Sequence, residues 1–105
     1  MEVGMIVKVI IKRRFLKGRD KEIIALLNRI RTAAMQQPGY ISGETLTLAD
    51  NPQLMTVIAT WQSVGEWEAW KTNSERRQIE AMLEVFQDGP AQYEEYIVGT
   101  NLGAK

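Results

Sequence analysis

From Met5 to Phe15 the chain reads MIVKVIIKRRF, a β-branched, apolar run of the kind strands prefer. Met5, Val7, Val9 and Ile11 share one face at period two, and Ile6 and Ile10 share the other with Lys8 and Lys12. LKGRD breaks the strand. From Asp20 to Gln37 the period becomes helical: Ile23, Leu27, Ile30 and Ala34 fall on one stripe, with Ile24 beside it. Asp20 is the expected N-cap, and Pro38-Gly39 the stop.

YISGETLTL reads as a second strand interrupted by Gly43, and LMTVIATW as a third. ADNPQ between them carries turn chemistry, so the two form a hairpin. Ser63-Val64-Gly65-Glu66 has the spacing of a capping box and opens a short helix holding Trp67 and Trp70. Thr72-Asn73-Ser74-Glu75 repeats that spacing and opens a longer helix, on which Ile79, Met82, Leu83 and Phe86 form the expected core stripe. Gly89-Pro90 is its expected end, QYEEYIVG the last strand, and residues 100–105 a loose tail.

The order is strand, helix, strand, strand, helix pair, strand, over a single domain spanning residues 1–105. It predicts an α+β fold of the ferredoxin-like βαββαβ kind. Helices cover one face of such a sheet. Yet the third strand puts Met55, Val57, Ala59 and Trp61 on one side, and Leu54 and Ile58 with two threonines on the other. Apolar residues on both faces imply cover on both. The simplest partner for the second face is another copy, sheet against sheet, giving a homodimeric α/β barrel.

Composition narrows the chemistry. The chain has no cysteine and no histidine, which removes disulfides, cysteine nucleophiles, serine–histidine triads, the usual zinc sites and histidine-ligated haem. No clustered acidic motif suggests a metal, and no metal or other cofactor is expected. Net charge is zero, and the aromatic consensus of an RNA-recognition sheet is missing, so nucleic acid is not an expected partner. No run approaches the roughly 20 apolar residues that span a bilayer, and MEVGMIVKVII lacks the features of a secretory leader; no membrane association and a cytoplasmic location are expected. Charge is unevenly placed: residues 1–36 hold nine Lys/Arg against three Asp/Glu, the remainder four against ten. The halves are expected to pair in the fold or across a dimer, the alternative being a basic patch built by KRRFLKGRDK for an anionic ligand.

PGYISGETL, the strand end ATWQS, EWEAWKTNSERRQIEAML and the final EYIV together resemble the antibiotic biosynthesis monooxygenase superfamily over nearly the whole chain. The resemblance implies a dimeric α+β barrel of ferredoxin-like subunits, with a pocket between sheet and helices in each. It also implies a pocket built by the third strand with its terminal Trp, the short helix after it, and a polar residue on the next helix. The strand Trp is matched by Trp61 and the short-helix aromatic by Trp67. Where oxygenases of the group can carry an amide, this chain has Val57, and the family's strand-one asparagine falls near Ile11. Haem-degrading members have a Trp at the place of Trp70 and a ligand histidine ten residues on; that place is Glu80 here, so haem degradation is not expected.

The aromatic walls of such a pocket are present and its polar groups are replaced. The expected substrate-binding residues are Trp61, Trp67, Trp70, Val57, Leu83 and Phe86, and the expected catalytic residue is Glu80, as a base at the pocket mouth. Against this stand plainer roles: packing for the indoles, a salt-bridged edge for Glu80, helix surface for Arg76 and Arg77, ordinary strand positions for Tyr40, Tyr93 and Tyr96. The resemblance implies a cofactor-independent monooxygenase acting on a small hydrophobic aromatic, a quinol or polyketide-like molecule. The alternative is a non-catalytic dimeric barrel that sequesters a small apolar ligand.

Overall fold

A computed structural model describes residues 5–100. Four strands, β1 (Val7–Arg14), β2 (Tyr40–Leu48), β3 (Asn51–Trp61) and β4 (Gln92–Ile97), and three helices, α1 (Asp20–Met35), α2 (Val64–Lys71) and α3 (Ser74–Glu84), follow in the order β1-α1-β2-β3-α2-α3-β4. The sheet order is β2-β3-β1-β4, with every neighbouring pair antiparallel. This is the ferredoxin-like α+β topology that the sequence pattern predicts. Except for Thr100, the tail expected at 100–105 lies outside the described residues, as do Met1–Gly4 of the amino-terminal run. No helix among the described residues is long and apolar enough to cross a membrane.

The period-two reading of β1 holds residue by residue: Val7, Val9 and Ile11 are buried, while Lys8 and Lys12 are exposed. The register sets Val9 beside Ala59 and Val7 beside Trp61, so both strands turn their apolar sets to the helices. One cluster joins these residues to Trp67 and Trp70 of α2, with Ile30, Ala33 and Ala34 of α1 against it. A second cluster, Phe15, Ile23, Ile79 and Leu83, closes the far end between α1 and α3, and Phe86 packs on it.

Several local expectations change. Asp20 is the first residue of α1 and does not cap it; Arg19 holds the cap position without a side-chain bond, so Asp20 acts only through its charge in the first turn. The cap of α3 is Asn73, whose Oδ1 accepts from the N–H groups of Glu75 (2.8 Å) and Arg76 (3.2 Å). Thr72 instead turns its hydroxyl back to the carbonyl of Glu68, at the end of α2. β3 begins at Asn51, inside the expected turn. Pro52 is tolerated there because β1 is registered only with residues 54–61 of β3, and beyond them Phe15 N–H bonds the Gln53 carbonyl, so no ladder bond from β1 calls for an N–H at Pro52. α3 ends at Glu84, before Gly89, because Leu16 N–H bonds the Phe86 carbonyl and Asp88 N–H the Arg14 carbonyl, drawing the chain out of the helix. Met82 is 37% exposed and is not core: the buried stripe of α3 runs Arg76, Ile79, Glu80, Leu83, rotated away from Met82.

The sheet face away from the helices carries Ile10, Leu54 and Ile58, half-buried, among the exposed Leu46, Leu48 and Tyr96. Its charges pair across strands, as in Lys12–Glu94 (3.7 Å). Tyr96 donates to Glu94 at 3.2 Å, and the charge of that carboxylate, then the bond itself, raises the phenol above its ordinary value.

Candidate functional site

Trp61 is the last residue of β3, and Ser63 caps the helix that follows. Ser63 Oγ accepts from Glu66 N–H at 3.2 Å and donates to the Glu66 carboxylate at 3.1 Å. The cap fixes the direction of α2, so Trp67 and Trp70, three residues apart, face the sheet together. All three indoles are at most 4% exposed. Gly39 sits at φ +86°, and a side chain there would overlap the Glu66 carboxylate, so glycine lets β2 approach this cap.

The aromatic rings are held in angled contact. Tyr40 meets Trp61 edge-on at 5.4 Å between centroids, Trp61 meets Trp67 at 6.0 Å, and Trp67 meets Tyr93 at 6.3 Å. Gly43, the break in the β2 pattern, has a physical reason here: a Cβ at that position would lie 2.8 Å from the Tyr40 hydroxyl. Trp67 is further pinned by its Nε1–H, which donates to Glu95 of β4 at 2.8 Å, and Lys71 lies 3.3 Å from the same carboxylate oxygen.

Between the sheet and helices α1 and α2 lies a cavity of about 70 Å³, open at one side. That is room for several water molecules, at roughly 10–15 Å³ for each. Trp61, Trp67, Trp70 and Val57 line it, as do Tyr40, Ala59 and Ile30. Four of the expected binding residues are thus brought together. Leu83 and Phe86 are not; they belong to the neighbouring cluster around Phe15 and Ile23.

Glu80 does not line the cavity. Its Oε2 accepts from Arg13 of β1 and lies 2.8 Å from Arg76 of α3. On its other side it borders a shallow groove with Arg77, Glu84 and Tyr93. Arg76, expected on the helix surface, is only 4% exposed. It donates to the Tyr93 hydroxyl (2.8 Å) and the Lys71 carbonyl (3.3 Å), and its guanidinium lies 5.5 Å from the ring centres of both Trp67 and Tyr93. Those partners, together with Glu80, answer the charge that burial would otherwise penalise. Arg13, equally buried, follows Val7, Val9 and Ile11 on the inner face, and both arginines line the cavity. The residues that sequence reasoning missed are therefore these two. The signals were present: inward parity for Arg13, and i, i+4 spacing to Glu80 for Arg76.

The pairs Arg13–Glu80 and Lys12–Glu94 join the basic first third of the chain to its acidic remainder within one subunit. Among the described residues, no group of three Asp or Glu is gathered as a metal would require.

Residues 6–82 match the antibiotic biosynthesis monooxygenase family. The chain belongs to that family. Protein SchA of Streptomyces halstedii is 24% identical over 86 residues, which make up 82% of this chain and 23% of SchA, so the chain spans about a quarter of that relative's length. Among solved structures, a conserved protein from Methanosarcina mazei Go1 superposes with a TM-score of 0.83 at 16% identity, covering 90% of this chain and 94% of the other. SnoaB, a cofactor-independent oxygenase from Streptomyces nogalater, gives 0.81 at 14% identity, covering 95% and 99%. A putative antibiotic biosynthesis monooxygenase from Nitrosomonas europaea gives 0.81 at 12% identity, covering 99% and 97%. At these identities the likeness is one of fold.

Proposed function

We propose that this family member is a monooxygenase that oxidises a small hydrophobic aromatic, quinol-like or polyketide-like, without a bound cofactor. The observation that carries the reading is the cavity walled by Trp61, Trp67, Trp70 and Tyr40, whose rings are already fixed by packing and by the Trp67–Glu95 bond. A preformed aromatic wall binds a flat ring at little ordering cost. Membership of the family and the fold shared with SnoaB support oxygen chemistry. The redox power would lie in the substrate. A ring carbon ionised beside its carbonyl or phenol reduces O₂; one oxygen atom replaces two hydrogens at that carbon, and the other leaves with them as water. The protein supplies orientation and exclusion of solvent.

Glu80 has a different part in this reading from the mouth base that the sequence suggests. In it the carboxylate bonds two guanidiniums that line the cavity, and so positions Arg13 and Arg76. That same observation favours the second reading, a binding module without catalysis, because the Glu80 carboxylate is then engaged by protein groups. Oxygen uptake separates the two: a quinol that quenches the indoles and consumes O₂ only with protein present supports the enzyme, and quenching without uptake supports the module.

The assembly we propose is a homodimer through the sheet face away from the helices, since Ile10, Leu54 and Ile58 lie there with exposed leucines around them. Light scattering should give about twice 12.0 kDa. A monodisperse monomer at micromolar concentration contradicts it.

A further inference from the structure

The cavity holds a charge imbalance. Arg13 and Arg76 both line it, and both bind one oxygen of Glu80. A single carboxylate therefore answers two buried guanidiniums. At the mouth the exposed Arg31 donates to the Gly43 carbonyl at 3.5 Å and adds no negative charge. One positive charge is left over beside a wall of indoles, where an anion is attracted far more strongly than in water.

An independent observation points to the same place. Among the described residues, Arg13 Nε and Trp61 Nε1 are buried donors with no acceptor. Native interiors leave few such groups unpaired. They sit toward opposite ends of one slot: Arg13 pairs with Met55 of β3, and Trp61 lies six residues farther on, which is roughly 20 Å along the strand before the two long side chains shorten it. Arg76 connects the ends, 2.8 Å from Glu80 and 5.5 Å from the Trp67 ring centre.

We propose that the ligand of this slot is an aromatic carboxylate. Its acid group lies at Arg13 and Arg76, its ring against Trp67 and Trp61, and a ring oxygen accepts from Trp61 Nε1–H. A planar carboxylate matches the fork of a guanidinium, and an amide of the same shape turns N–H donors toward it. The inference rests on the reading of the cavity as an aromatic site and adds the ligand's charge, which that reading leaves open.

Calorimetric titration of the wild-type protein at neutral pH with 6-hydroxy-2-naphthoate, whose acid and hydroxyl lie at opposite ends of the ring system, and with its primary carboxamide tests it without a variant. The acid should bind roughly tenfold tighter or more. In Arg13→Met, which leaves Arg76 paired with Glu80, the acid should lose most of its advantage over the amide. In Trp61→Phe, which keeps most of the ring volume, the hydroxy acid should lose its advantage over 2-naphthoate. Acid and amide binding alike in the wild type overturns the carboxylate and leaves the aromatic site standing. No binding of either, nor of 1-naphthol, overturns both. Acid-selective binding that persists undiminished in folded Arg13→Met, or that 1-naphthol does not displace, places the anion elsewhere and overturns the proposal.

Discussion

Replacing Glu80 by Gln keeps the side chain's shape and removes the carboxylate that is bonded to two buried arginines. The guanidiniums of Arg13 and Arg76 both reach the same oxygen, so their nearest nitrogens are about 5 Å apart at most, and two unit charges at that distance repel by about 3 kcal/mol at an effective dielectric constant near 20. Removing one partner of a buried ion pair costs about 3–5 kcal/mol in other proteins. The amide oxygen of Gln still accepts one bond, which places the expected loss near the lower end, about 3 kcal/mol. That is a large share of the roughly 5–15 kcal/mol that holds a domain together. With a urea slope of about 1–3 kcal/mol per molar, the unfolding midpoint should fall by about 1–3 M, measured at one protein concentration so that any association is held fixed. Replacing all three residues by Met or Leu should recover most of the loss, because the charges disappear together. A Glu80→Gln midpoint within about 0.3 M of wild type would show that this carboxylate does not hold the two arginines, and the positioning role would fall with it.

Two further outcomes follow from single contacts. Gly43→Ala should destabilise by about 1–3 kcal/mol, because its methyl meets the Tyr40 hydroxyl, and the same change in a Tyr40→Phe background should cost clearly less; equal costs in both backgrounds would remove Tyr40 as the reason for this glycine. Tyr96 should ionise at higher pH than a free phenol, and Glu94→Gln should bring it back down, since the neighbouring negative charge opposes a second one; ultraviolet titration that shows no difference contradicts the contact.

The fold was legible because each element announces its period. Val7, Val9 and Ile11 alternate, Ile23, Leu27 and Ile30 recur at helical spacing, and Ser63 with Glu66 marks a start. What was not legible depends on partners distant in sequence. Pro52 reads as a turn until it is known that β1 stops pairing at Leu54. Gly89 reads as a helix end until Phe86 and Asp88 are found bonded to the end of β1 and the loop after it. In the site, the aromatic wall was visible as three tryptophans within ten residues, matched to a family pocket. The arginines behind it were not, because a charged residue is by default exposed. Only the fold shows that Arg13 and Arg76 meet at one carboxylate, that of Glu80.

The central claim is that Trp61, Trp67 and Trp70 wall a ligand site and are not packing alone. It is tested most directly by indole fluorescence during titration with a quinol-like phenol, on wild type and on Trp61→Phe. We expect saturable one-to-one quenching in wild type and an affinity about tenfold weaker in the variant, since lost stacking of about 1 kcal/mol or more is close to a factor of ten, with only a modest change in stability. If no aromatic phenol quenches the wild-type indoles, or if the variant binds as tightly as wild type, the cavity is not the site and the tryptophans are core.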